Sequence, residues 1–343
     1  QFGRPHRQQG GLMIITALGS MPGRDFREST RIVADLLPDL LAWPELPARD
    51  ASSAMIGRTL GLLEQPCELT ADGWRLAARA DAAQRRAQRW WSSDLDDIEE
   101  LTQDYGGALK VALAGPWTLA TSVRLAHPTM THVLADEGAY RDLTQALAEA
   151  AAQLASRLVA RLGRRLIVQL DEPVIGAVLG GTLPTFSGLH RYPVPDRGVV
   201  TSSWRQIVSA VRAVEGVDGV WIHSCGQGLP VDLAGTAGFT GLSLDARYLG
   251  TAELDACGNW ISDGGTLALG IARTDEVRVP SADELTTATV RILRAFEMPP
   301  EVLGSQVVLT PACGLAGWPV ASAARLLTNL QQAGGLVTEQ LAG

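Results

Sequence analysis

Gly219-Val220-Trp221-Ile222-His223-Ser224-Cys225-Gly226 is a short apolar run that leads straight into His-x-Cys. Its first four residues read as a buried strand. At a period of two, His223 and Cys225 fall on the same side of the extended chain. An imidazole and a thiol converging at a strand end suit one soft metal, zinc foremost. Two more strand-like runs end on ligand types: Gly241-Leu242-Ser243-Leu244 runs into Asp245, and Gln306-Val307-Val308-Leu309-Thr310 into Pro311-Ala312-Cys313-Gly314. His223, Cys225, Asp245 and Cys313 would complete a four-ligand set. The same residue types also suit packing, because a free Cys behaves as a small core hydrophobe. Spacing alone leaves both readings open, since these ligands lie far apart in the chain.

Outward from this stretch the pattern repeats. Buried strands are predicted at 13–18, 109–114, 166–170, 219–222, 241–244, 266–271 and 306–310. Helices are predicted at 25–37, 55–63, 139–162, 204–214, 282–296 and 321–332, and more helix within the charged, Trp-containing stretch 75–103. An eighth strand is expected between residues 38 and 60. Apolar strands alternating with helices imply a parallel sheet covered on both faces. Ser20, Asp171, His223, Asp245 and Cys313 all stand just past strand ends. In a closed (β/α)8 TIM barrel those ends form one face, where active sites lie. An open doubly wound sheet fits less well, because no Gly-x-Gly-x-x-Gly follows the first strand. The expectation is a single barrel over residues 13–343, with the polar residues 1–12 as a disordered extension and not a signal peptide.

The chain has 343 residues, 46% of them hydrophobic and 19% charged, the balance of a globular enzyme and not of a disordered chain. A net charge of −8 argues against nucleic acid or an anionic membrane surface as partner. No apolar run approaches the length of a membrane span. The four cysteines, Cys67, Cys225, Cys257 and Cys313, are too few and scattered for a disulfide framework and point to a cytoplasmic setting. Cys67 and Cys257 read as packing residues. Trp90 and Trp91 read as packing anchors, because Asp94, Asp96 and Asp97 beside them would repel phosphate. His127, His132 and His190 read as solvent-exposed loop residues, Arg58 as one half of an ion pair in preference to a contact for a substrate carboxylate, and Trp318 as either a site wall or core.

With these residues identified, the chain resembles the C-terminal catalytic barrel of cobalamin-independent methionine synthase over roughly residues 13–340. Leu18-Gly19-Ser20 is similar to the family's Ile-Gly-Ser, and Gly115-Pro116-Trp117-Thr118 to its Gly-Pro-Val-Thr. Gln169-Leu170-Asp171-Glu172-Pro173 is similar to Gln-Ile-Asp-Glu-Pro, His223-Ser224-Cys225 to the His-x-Cys zinc ligands, and Pro311-Ala312-Cys313-Gly314-Leu315 to Pro-Asp-Cys-Gly-Leu. The resemblance implies zinc on His223, Cys225, Asp245 and Cys313, and homocysteine held by Leu18, Gly19, Ser20 and Asp171. It also implies methyl transfer to the homocysteine thiolate from 5-methyltetrahydrofolate or a methyl-corrinoid carrier.

Several positions depart from the family pattern. Asp245 stands where the family has Glu, and Asp275 where it has a proton-donating His, so Asp275 is the candidate catalytic acid only if burial raises its pKa. Thr121 and Ala177 stand where folate-contacting Trp and Glu are found, and Met55-Ile56-Gly57 lacks the early Glu. The homocysteine end is therefore kept better than the folate end. Two further readings follow: a zinc- or thiol-binding barrel without methyl transfer, and a corrinoid methyltransferase acting on another thiol. A decarboxylase of the uroporphyrinogen type needs no zinc, and His223, Cys225 and Cys313 together argue against it.

Overall fold

In the computed structural model, which describes residues 13–126, 131–185 and 187–342, eight parallel strands form one sheet. They are β1 (Ile14–Ile15), β2 (Leu40–Ala42), β3 (Ala108–Ala114), β4 (Leu166–Asp171), β5 (Val217–Ser224), β6 (Gly241–Asp245), β7 (Thr266–Ala272) and β8 (Val307–Pro311). From β2 through to β8 each strand pairs with the next, and β8 pairs with β1. Between β1 and β2 the ring is closed by a parallel bridge of Ser20 with Glu45, with Glu45 N donating to Gly19 O at 2.9 Å and Met21 N to Glu45 O at 2.8 Å. The fold is the expected (β/α)8 barrel, and β2 is the eighth strand, inside the 38–60 window.

Period-two alternation divides the strands into an outer and an inner set. Outward residues such as Val168, Leu170, Val220 and Ile222 join the helices in the main core. Inward, Leu40, Ala108, Trp221, Ala268 and Val308 form a separate small cluster at the lower end of the barrel. Gly241 makes room for that plug, since a Cβ there would lie 2.3 Å from the Trp221 ring. Higher up the same inward rows turn polar: Lys110 on β3, Gln169 and Asp171 on β4, His223 on β5 and Ser243 on β6.

The helices predicted at 25–37, 139–162 and 282–296 fall within two residues of Phe26–Leu36, Glu137–Leu162 and Ala282–Ala295, and the others differ by about a turn or more. Glu137–Leu162 is capped by Asp136 and ends at Gly163, whose φ of 62° is the left-handed conformation a helix C-cap takes. Val320–Ala342 runs well past the predicted end at 332. Residues 75–103 differ most. Their start belongs to a hairpin, Cys67–Thr70 against Gly73–Leu76, turned at Gly73 (φ 109°), and only Ala82–Leu101 is helical. Cys67, Leu69, Trp74 and Leu76 alternate at period two, so pairing across the hairpin overrides the helical reading. Among the described residues no helix is long and apolar enough to cross a membrane. Residues 1–12 and His127 lie outside the described residues.

Candidate metal centre

β5 carries His223 inward near its end, with Cys225 just beyond it. Pro311 closes β8, and the bend at Ala312 and Cys313 turns Cys313 toward them; Ala312 N donates to Ala272 O at 2.7 Å and Leu315 N to Ser20 O at 2.8 Å. Gly314 permits this approach, because a Cβ there would sit 2.6 Å from Ser20 Cβ. One ligand atom from each of His223, Cys225 and Cys313 lies within 4.8 Å of the others.

The donor atoms are arranged as a metal would need them. In the β5–β6 register His223 is opposite Ser243, and His223 Nδ1 lies 3.0 Å from Ser243 Oγ. His223 is 4% exposed, yet its Nε2 has no hydrogen-bond partner among the described residues. A buried ring nitrogen without a partner is costly, whereas a metal on Nε2 with Nδ1 held by a neighbour is how ligating histidines are oriented. Cys225 and Cys313 share a proton: the Cys225 thiol is the main influence holding Cys313 down at about 4, with His223 adding to it, and giving that hydrogen bond pushes Cys225 up. One nitrogen and two sulfurs within 4.8 Å of one another fit zinc.

Asp245 is placed elsewhere. Its Oδ1 accepts from Arg247 N at 2.9 Å, and its Oδ2 from Arg247 Nε at 2.9 Å and Nη2 at 2.6 Å. Asp275 continues the chain outward. It is half-exposed and accepts from Arg247 Nη1 at 2.7 Å and from Arg273 at 3.0 and 3.1 Å. Arg273 foremost, against an opposing effect of desolvation and with Arg247 adding to it, holds its carboxyl down at about 2, which does not suit a proton donor near neutral pH.

The residues expected to hold an amino acid meet across the barrel mouth. Gln169 Nε2 donates to Asp171 Oδ1 at 2.7 Å and to Leu18 O at 3.3 Å, while Lys110 Nζ donates to Gln169 Oε1 at 2.7 Å. Burial pushes Asp171 up to about 7 and Lys110 down to about 8. Ser20 Oγ donates to Glu45 Oε2 at 3.3 Å, and a Cβ on Gly19, at φ 130°, would lie 3.2 Å from the Glu45 side chain.

Sequence reasoning overlooked part of this frame. Arg58 forms its ion pair with Glu45 (2.9 Å), fully inside the protein, with burial as the largest influence on both groups. Glu172 accepts from Trp117 N, Thr118 N, Thr118 Oγ1 and Trp204 Nε1 at 2.7–3.1 Å. A Cβ on Gly115 would lie 2.4 Å from that carboxylate, which is why a glycine opens the Gly-Pro-Trp-Thr turn. Lys110, charged within an apolar run, and Ser243, two residues before Asp245, were the available signals for the inward rows. Cys67 and Cys257 are fully buried, Trp91 is buried with Nε1 on Arg58 O, and Trp318 is buried with Nε1 on Thr274 O. His190 is exposed, but His132 is half-buried, its Nδ1 2.9 Å from the Tyr192 hydroxyl, so that loop histidine is tied down.

Comparison with known proteins agrees with this fold. The fold is similar over 97% of this chain and 99% of the other to a B12-independent methionine synthase from Shewanella sp. W3-18-1, solved with selenomethionine, at 13% identity and a TM-score of 0.60. A methyltransferase from Methanosarcina mazei is similar over 94% of both chains, at 14% identity and a TM-score of 0.57. No curated protein matches in sequence. Residues 118–335 match the family described as the catalytic domain of cobalamin-independent synthase, and the chain belongs to that family.

Proposed function

We propose that the protein is a zinc-dependent S-methyltransferase of the methionine-synthase type, which converts homocysteine to methionine in a cytoplasmic setting. The unpartnered Nε2 of His223, buried beside the thiols of Cys225 and Cys313, carries this reading. Zinc held by His223, Cys225 and Cys313 would supply the positive charge that keeps a thiol ionised near neutral pH.

The chain's own residues do the rest. Ser243 fixes the His223 ring through Nδ1. Asp171, at 8% exposure and facing the same interior, receives the amino group of homocysteine, while Leu18, Gly19 and Ser20 shape the end of its cradle. Gln169 and Lys110 hold the Asp171 carboxylate from behind. A sulfur positioned in line with a methyl group gains most of its advantage from orientation. One S–CH3 bond forms, the donor–CH3 bond breaks, and the donor keeps the electron pair; a folate nitrogen then takes a proton from solvent, whereas corrinoid cobalt leaves as cobalt(I) without one. The donor is 5-methyltetrahydrofolate or a methyl-corrinoid protein. Asp275, ionised between two arginines, enters this account as a rim charge and not as an acid.

The test supplies purified protein with zinc, homocysteine and each methyl donor in turn, and follows methionine by mass spectrometry. Methionine formation with either donor, lost in Cys313→Ser, is the expected result. Methylation of another thiol in preference to homocysteine, or zinc binding with no transfer from either donor, would replace this reading.

A further inference from the structure

We propose that Arg247 holds Asp245 away from the metal, so that the centre has three protein ligands and keeps a position for the substrate sulfur. The inference rests on the zinc reading above. Leu244 is opposite Ser224 in the β5–β6 register, so Asp245 follows β6 at the level where Cys225 follows β5, yet it is not among the three residues whose ligand atoms lie within 4.8 Å of one another. The carboxylate is engaged on both oxygens. Oδ1 takes the Arg247 amide and thereby caps the turn Ala246–Tyr248; Oδ2 takes two guanidinium N–H groups of the same residue. Charge-assisted bonds of this kind are among the strongest in proteins, and Asp245 is only 1% exposed, so water does little to weaken them.

Arg247 is itself anchored. Its Nη1 binds Asp275, which Arg273 binds in turn, giving a row of alternating charges from the barrel interior to the rim. Turning Asp245 toward a metal would break the turn cap and leave Arg247 with Asp275 alone. The charges point the same way. A divalent cation with two thiolates is neutral, and a third anion from the protein would oppose entry of a substrate thiolate. Catalytic zinc sites with three protein ligands and one open position have this composition.

Zinc affinity, measured by competition with a chromogenic chelator, tests the assignment, with cobalt(II) absorption as a second readout. Asp245→Asn is expected to bind zinc within about threefold of wild type with an unchanged cobalt spectrum, whereas Cys225→Ser loses the 10- to 100-fold or more expected for a disrupted site. Arg247→Ala frees the carboxylate and is expected to tighten zinc by about tenfold, a gain that Arg247→Ala/Asp245→Asn removes. Loss of zinc in Asp245→Asn as severe as in Cys225→Ser, or no change in Arg247→Ala, would overturn the proposal. Absence of zinc binding by the wild type would instead defeat the zinc reading on which it stands.

Discussion

On one side of the barrel mouth Glu172 accepts four hydrogen bonds and Glu45 grips Arg58; on the other, His223 turns an unpartnered nitrogen toward two thiols. The carboxylates, Arg58 and His223 are buried, the two thiols are partly exposed, and all lie near the C-terminal ends of the strands. The first set is satisfied by the protein itself, tying β3, β4 and the helices behind them into one frame. The second is incomplete without something from outside. Buried polar groups completed by the chain stabilise it, and those left open mark where a ligand belongs.

The contrast predicts opposite responses to mutation. The largest effect belongs to the frame: Glu172→Ala strands four donors and is expected to cost about 3–5 kcal/mol in urea unfolding. Cys225→Ala in metal-free protein is expected to cost about 1 kcal/mol or less. Equal losses would erase the distinction. Next, Arg58→Ala leaves Glu45 buried without its cation and is expected to destabilise by about 3 kcal/mol. Replacing both by Met and Leu should recover most of that loss, because a buried pair balances its own desolvation poorly.

At the open side the effects are on ligand binding. Ser243→Ala frees the His223 ring and is expected to weaken zinc about 10- to 100-fold in chelator competition, with unfolding changed by about 1 kcal/mol at most. A stability loss without a change in zinc affinity would move Ser243 into the frame. A smaller effect is expected from pH. Burial raises Glu172 from 4.5 to about 6, so between these values the folded state holds more proton than the unfolded one. Stability from this group is therefore present below pH 4.5 and falls by about 2 kcal/mol as pH rises toward 6. Glu172→Gln should flatten that segment of the unfolding profile. Asp275→Asn is expected to do least, leaving thermal unfolding unchanged, since its ion pairs are exposed.

Much of this was legible in the sequence for physical reasons. Strands buried on both faces are continuous apolar runs, so seven of eight could be read directly; β2, only three residues long, had no pattern of its own. The ligand types at the ends of β5 and β8 stood out because His and Cys interrupt such runs. The pairing of His223 with Ser243 was not legible, because it depends on register between strands twenty residues apart. Arg247 was invisible for a related reason: its partner Asp245 reads as a ligand until the guanidinium beside it is seen. The hairpin at 67–76 was missed because its cross-strand pairs outweigh the local helical spacing.

The most direct test of the central claim is the metal content of purified, reduced protein, wild type beside Cys313→Ser, with homocysteine binding followed in the same samples. The account predicts stoichiometric zinc in the wild type, its loss in the variant, and a change in the metal's environment when homocysteine is added. A folded, reduced wild type that binds no zinc would contradict it.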